Sequence, residues 1–202
     1  MKRSRKSWIT STCLLAAFAL WTVAICLADV RAIGPQGSSV GFAGINGFVH
    51  RLTGVHSGLY HITDWLGLVQ WIKRKSICKV DYDILILGGF YIVTIAAYLF
   101  FESVVINYRP VLINGYLEAS YPSSTTLLVA CVMPTAMMQC NRRVKNKVLR
   151  KAISVIIGAL IAFMVFARLL SGVHWFTDIV GGMLLSAGLV LMYRAMIGLE
   201  NR

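Results

Sequence analysis

The sequence predicts an all-α fold: a polytopic membrane helix bundle of about six transmembrane helices, the second of them weak. Three observations carry this. Of the 202 residues, 57% are hydrophobic and only 14% charged, with a mean hydropathy of +0.70, whereas soluble domains are nearer a quarter charged. Several apolar runs approach or exceed the roughly 20 residues a helix needs to cross a hydrocarbon core of about 30 Å. The basic residues are clustered between those runs rather than spread along the chain.

The first run, Trp8 to Ala28, follows Lys2, Arg3, Arg5 and Lys6. A secretory signal is the rival reading, but the run exceeds the roughly 7–15 residues of a signal core. Further spans are expected over Ile84–Ile106, Thr125–Met138 extended by polar flanks, Ala152–Leu170, and Ile179–Met192 and beyond. "RAIGPQGSSVGFAGINGF", residues 31–48, is rich in Gly and Ser around Pro35 and reads as an external loop that lies along the surface or partly re-enters. Residues 1–202 read as a single membrane domain, with no internal repeat.

A net charge of +12 taken alone suggests nucleic acid, but its distribution argues against that partner. Sixteen of the 20 Lys and Arg fall in four patches: residues 1–7, "KRKSICK" at 73–79, "RRVKNKVLRK" at 142–151, and the C-terminal Arg194 and Arg202. The positive-inside rule makes these patches cytoplasmic, with anionic headgroups as their neighbours. Both termini are then cytoplasmic in a cell membrane, and each interval between patches holds an even number of crossings. Parity requires a second crossing before residue 73, and "VHSGLYHITDWLGLVQWI", Val55–Ile72, is its only source. Those residues span about 27 Å as a helix. An interfacial helix anchored by Trp65 and Trp71 is the alternative.

No CxxC spacing occurs among the five cysteines. Cys13, Cys26 and Cys131 fall in apolar runs, and Cys78 and Cys140 beside cytoplasmic patches, so neither a disulfide nor a zinc site is expected. His50, His56, His61 and Asp64 form the best alternative metal set, and interfacial side chains are their ordinary reading. No metal and no cofactor are expected.

Four arginines remain outside the patches: Arg31, Arg51, Arg109 and Arg168. The predicted threading brings Arg109, Ser123, Ser124, Arg168, His174 and Asp178 to one membrane surface, the outer one. Each has an ordinary explanation: arginines snorkel, an aspartate in a first turn suits the helix dipole, and serines cap helices. Collected at one depth they suggest chemistry, because ionisable groups at membrane depth are expensive and tend to be functional. Two guanidiniums, hydroxyls and helix N-termini suit a tetrahedral oxyanion. His174 and Asp178, four residues apart, would share a helix face as a nucleophile and its orienting partner. Phosphoryl transfer from a lipid phosphate is the chemistry these groups fit.

The residues resemble the type 2 phosphatidic acid phosphatase superfamily, which includes bacterial lipid phosphatases and vanadium haloperoxidases. "ARLLSGVHWFTD" has the spacing of the family's third motif at Arg168, His174 and Asp178, with Ala167 in place of a serine. "RP" at Arg109–Pro110 ends the first motif, "PSST" at Pro122–Thr125 matches half of the second, and the resemblance covers about residues 84–192. It implies that His174 attacks phosphorus to form a phosphohistidine, that Asp178 orients the imidazole, and that Arg109, Arg168 and Ser123 hold the phosphate, without a metal. Two positions depart. The family's lysine falls at Glu102 and its leaving-group histidine at Thr125. On one continuous helix Glu102 and Arg109 would lie two turns apart and face each other, so Glu102 is expected to pair with Arg109. A hydrolase for a lipid phosphate or polyprenyl diphosphate is the leading reading; a lipid phosphate-binding protein that lost efficient turnover, and a transporter or assembly subunit, are the alternatives.

Overall fold

The computed structural model describes residues 2–56 and 82–198. Among them are six α-helices and no strand: α1 (Lys2–Leu27), α2 (Ala43–Thr53), α3 (Tyr82–Ser103), α4 (Ser124–Arg143), α5 (Lys147–Leu170) and α6 (Phe176–Ile197). Four of these, α1, α3, α5 and α6, are long and apolar enough to cross a membrane. The all-helical membrane architecture is therefore as the sequence predicts. The expected weak crossing at Val55–Ile72 lies, after His56, outside the described residues.

Helix α6 is the axis of the bundle. Of its most apolar window 56% is buried, against 17% for each of the other three spans. Small residues make this possible, since backbones approach closely where side chains are short. A Cβ at Gly188 would sit 2.7 Å from a Leu15 methyl on α1, and Ser11 of α1 donates a hydrogen bond to the Gly188 carbonyl at 2.8 Å. On the α4 side, Gly182 lies against Ser123 and Thr126. The core around α6 includes Phe18, Phe90, Leu127, Leu185, Leu189 and Tyr193.

Helix α4 has the length to span but not the apolar composition of the other four. The threonine in its middle is satisfied inside protein rather than exposed to lipid. Thr135 is fully buried, donates to the Cys131 carbonyl at 2.9 Å and lies 3.0 Å from the Tyr91 hydroxyl. The outward faces of α3 and α5 carry exposed Leu85, Ile92, Phe100, Val155, Ile156 and Phe163 instead.

Two expectations are corrected here. The stretch expected as loop from 31 to 48 is partly helical: after an Arg31–Val40 bridge and a short 3₁₀ turn at Pro35–Gly37, α2 begins at Ala43. Its glycines hid the period, yet Ala43 and Asn46 face inward while Ile45, Phe48 and Leu52 face out. Helix α3 stops at Ser103 rather than Ile106. Three β-branched residues, Val104, Val105 and Ile106, weaken helix there, and Pro110 disfavours helical backbone at Arg109. From Asn107 to Ser120 the chain forms a narrow hairpin-like loop, with Tyr108 bridged to Ala119, Ile113 to Tyr116, and Asn114–Gly115 at the tip with positive φ.

Tyr121 closes this loop against the bundle. Its ring stacks on Phe18, meets Phe101 edge-on, and its hydroxyl lies 2.7 Å from Thr22 Oγ1. A Cβ at Gly181 would come within 2.4 Å of that ring, whereas one at Gly89 on α3 would meet nothing within 4 Å. Gly181→Ala is therefore expected to destabilise the protein by about 1–3 kcal/mol through overpacking. Gly89→Ala should be neutral or slightly stabilising. Thermal unfolding of both variants in the same detergent checks this, and equal melting temperatures would contradict it.

Candidate active site

The N-terminal end of α6 is capped without help from the side chain of its N-cap residue. Its N-cap residue, Trp175, has no acceptor to offer, so orphan N–H groups must be satisfied from elsewhere. The Asp178 carboxylate folds back to accept from Trp175 N at 2.9 Å, and Asn46 of α2 accepts from Thr177 N at 3.2 Å. Within this first turn Thr177 and Asp178 are both at 0% exposure.

Just ahead of it, Ser171–Trp175 links α5 to α6. Gly172 adopts φ +67°, and a Cβ there would lie 1.9 Å from the Gly54 carbonyl, so only glycine lets this turn pass against residues 54–56. Arg168 stands in the last turn of α5 and His174 in the linker, both buried. The expectation that His174 and Asp178 share one helix is corrected: α6 begins at Phe176, after His174.

Two guanidiniums converge on one imidazole nitrogen. Arg168 Nη2 lies 3.0 Å and Arg109 Nη1 3.2 Å from His174 Nε2. Guanidinium nitrogens only donate, so Nε2 must be the accepting, unprotonated nitrogen. The ring proton then sits on Nδ1, which is 3.0 Å from the Ser120 carbonyl and donates to it. Burial, then Arg168 and Arg109, push the imidazole well below its usual pKa. It is a neutral base with its lone pair held between two positive charges.

Asp178 does not reach the imidazole directly. Its Oδ2 is 3.7 Å from Nδ1, beyond hydrogen-bond range, and Ser120 stands between them. The Ser120 hydroxyl donates a short hydrogen bond to Asp178 Oδ2 and lies 3.1 Å from Nδ1. The other carboxylate oxygen accepts from Asn107 Nδ2 at 3.3 Å. Ser120 and Asn107 were missed from sequence because no spacing rule picks out a serine or asparagine in an irregular loop; the only signals were that Ser120 lies between Arg109 and Ser123 and that Asn107 stands two residues before Arg109.

A small cleft opens onto His174, lined also by Tyr98, Glu102, Arg109, Ser120 and Ser124. Ser124 thus meets the site. Ser123, in contrast, is fully buried and its hydroxyl accepts from Thr126, while Thr125 is buried in the first turn of α4 and is not among the cleft-lining residues. Glu102 lines the cleft, but the expected pairing with Arg109 is corrected. Because α3 has ended, Arg109 sits across the hairpin loop from Glu118, with Nε 3.2 Å from Oε2. That contact is an ion pair by distance without the alignment of a hydrogen bond.

The PAP2 superfamily profile matches residues 83–202, more than half of the chain and all of the cleft-lining residues. The chain belongs to the PAP2 superfamily. Its fold is similar to the crystal structure of a transmembrane PAP2 type phosphatidylglycerolphosphate phosphatase from Bacillus subtilis, with a TM-score of 0.50 and 18% identity over 98% of this chain and 97% of that one. Comparison with curated proteins gives no match. Among the described residues of this PAP2 chain, no group of three His, Cys, Asp or Glu is placed to hold a metal; His61 and Asp64 of the alternative set lie outside them.

The low imidazole pKa yields a signed prediction. Removing a nearby positive charge makes the protonated ring less costly, so Arg168→Gln should move the His174 titration upward, toward 6.5. Ring-nitrogen NMR shifts of His174 followed with pH would show it. A titration unmoved by the substitution would mean that Arg168 does not bear on Nε2.

Proposed function

We propose that this chain is a membrane-embedded phosphohydrolase acting on a lipid phosphate or polyprenyl diphosphate. The observation that supports it most is the His174 Nε2 lone pair facing the two guanidiniums. A tetrahedral phosphate oxyanion entering the cleft takes over the N–H donors that now point at the imidazole, leaving Nε2 free to attack phosphorus. In the first step the P–N bond forms, the P–O bond to the lipid breaks, and the leaving oxygen takes a proton. Water then attacks phosphorus, releasing inorganic phosphate and the neutral imidazole. Positive charge developing on the ring is balanced through Ser120 and Asp178. Such chemistry is positioning and charge stabilisation, and the donors present require neither metal nor cofactor for it.

The weak point is the proton for the leaving group. Thr125 stands where the family places a histidine, and a hydroxyl is a poor acid near neutral pH. A phosphate leaving group needs the proton least and an alkoxide most. This departure, with Glu102 in the cleft, also favours the second reading, a lipid phosphate-binding protein of slow turnover.

The test is phosphate release from matched polyprenyl monophosphates and diphosphates by purified protein. Diphosphates are expected to turn over faster, by up to the roughly 10²–10⁴-fold that a general acid supplies. His174→Ala should abolish both, EDTA should have no effect, and vanadate should inhibit. Thr125→His should narrow the gap by raising the monoester rate. Release unaffected by His174→Ala would end the phosphatase reading, and tight lipid phosphate binding without release would favour the second.

The same proposal places the cleft away from the cytoplasm, with the basic patches and both termini inside, facing anionic headgroups. Single cysteines at Asn114, on the hairpin tip, and Asn146, between α4 and α5, should label from opposite sides in a cysteine-free background. Same-side labelling would overturn the orientation.

A further inference from the structure

We propose that Asn107 is a positioning residue for phosphoryl transfer, and that Gly41 and Asn46, upstream of the family-matched stretch, are the scaffold that sets it. This rests on the phosphatase reading above.

Asn107 is 1% exposed and touches both groups that hold the imidazole. Its side-chain Nδ2 donates to Asp178 Oδ1 at 3.3 Å, and its backbone carbonyl accepts from Ser120 N at 2.9 Å. Its side-chain oxygen accepts from Gly41 N at 3.4 Å. The two side-chain contacts are long for hydrogen bonds. Their direction is nonetheless fixed: a backbone N–H only donates and a carboxylate only accepts, so the amide fits in one orientation.

Gly41 is where it is because nothing larger fits. A Cβ there would lie 1.7 Å from the Ile25 carbonyl oxygen at the end of α1. Asn46, fully buried, holds the same backbone from the other side. Its Nδ2 donates to the Gly41 carbonyl at 2.8 Å and to Thr177 Oγ1 at 2.9 Å, and its Oδ1 accepts from Thr177 N at 3.2 Å. The circuit runs Asp178, Asn107, Gly41, Asn46, Thr177, and closes within the first turn of α6.

The consequence is chemical as well as structural. Asp178 Oδ2 accepts from Ser120 and from Trp175 N, and the Asn107 amide keeps the other oxygen from turning toward them. With Asp178 fixed, the Ser120 carbonyl and hydroxyl stay against Nδ1, and Nε2 stays on line with the phosphate. Arg109 and Arg168 bind phosphate without help from Asn107. Loss of the amide is therefore expected to reduce kcat and to spare binding.

The experiment uses the full chain in detergent with a polyprenyl diphosphate, comparing wild type, His174→Ala, Asn107→Leu and Asn107→Asp. The Asn107→Leu variant, similar in size but without the donor, should lose roughly 10²-fold in kcat, the scale of a catalytic group shifted by about an ångström. Its KM and its inhibition constant for vanadate should stay within about threefold of wild type, which also shows that it folds. Asn107→Asp distinguishes a donor from a filler. When protonated its carboxyl donates to Asp178 as the amide does; when ionised it repels Asp178, with the charged Arg109, Arg168 and Glu118 and the titratable but neutral His174 as the other groups nearby. Its kcat should fall as pH rises relative to wild type. The proposal is overturned if Asn107→Leu keeps its kcat, if kcat and vanadate affinity fall together, or if Asn107→Asp follows the wild-type pH profile. Failure of the phosphatase reading registers separately, as wild type and His174→Ala releasing phosphate equally.

Discussion

Two guanidinium groups held against one imidazole nitrogen are an electrostatically demanding arrangement, and much of the surrounding structure makes it tenable. Like charges in low dielectric repel strongly. The neutral imidazole offers them an acceptor at 3.0 and 3.2 Å, and Glu118 meets the outer edge of Arg109. The Nδ1 proton must then be donated away from the arginines, to Ser120. The tautomer is thus set from both ends of the ring, by donors on one nitrogen and an acceptor on the other. On the proposed phosphatase reading, a phosphate anion would be drawn to the same pair of guanidiniums.

This arrangement demands a rigid platform at the end of α6, and the small residues along that helix provide one. Gly181, Gly182 and Gly188 allow Tyr121, α4 and α1 to pack close. Ser123 N donates to the Asp178 carbonyl at 3.0 Å, which joins the start of α4 to the start of α6. Arg168 comes from the end of α5 and Arg109 from the loop after α3. Each chain segment thus brings one group to the same point. The far end of the bundle is closed by an ordinary ion cluster, in which Arg142 and Arg143 hold Asp83 at 3.4 and 3.2 Å.

Helices α1, α3, α5 and α6 were legible in the sequence because each is a long apolar run, whether largely exposed, as α1, α3 and α5 are, or largely buried, as α6 is. Helix α4 was legible only as a short apolar stretch with polar flanks, since protein contacts replace lipid along much of it. Helix α2 was not, because Gly44 and Gly47 obscure a stripe that needs Ile45, Phe48 and Leu52 to be seen. Within the site, Arg109, Arg168, His174 and Asp178 were found by charge and spacing at membrane depth. Ser120 and Asn107 were not, because a short polar side chain in an irregular loop is usually a turn residue and only tertiary contact gives it another role. Spacing also misled: His174 and Asp178 read as one helical face, yet they meet through a serine from another segment.

The departures at Glu102 and Thr125 acquire a physical context from this arrangement. Arg168 lies at the end of α5, His174 in the linker before α6 and Arg109 in the hairpin loop, and neither Glu102 nor Thr125 takes part in the contacts among them. Glu102 is on the exposed last turn of α3, at the mouth of the cleft, where solvent screens its charge from the buried guanidiniums. Thr125 sits a residue beyond Ser124, the one hydroxyl of that turn on the cleft wall. On the proposed reading, substitutions at these positions bear on what enters and leaves the cleft rather than on the attacking nitrogen. On the phosphatase reading proposed above, a site altered in this way keeps the attacking nitrogen and its arginines and is most restricted in which leaving groups it can expel.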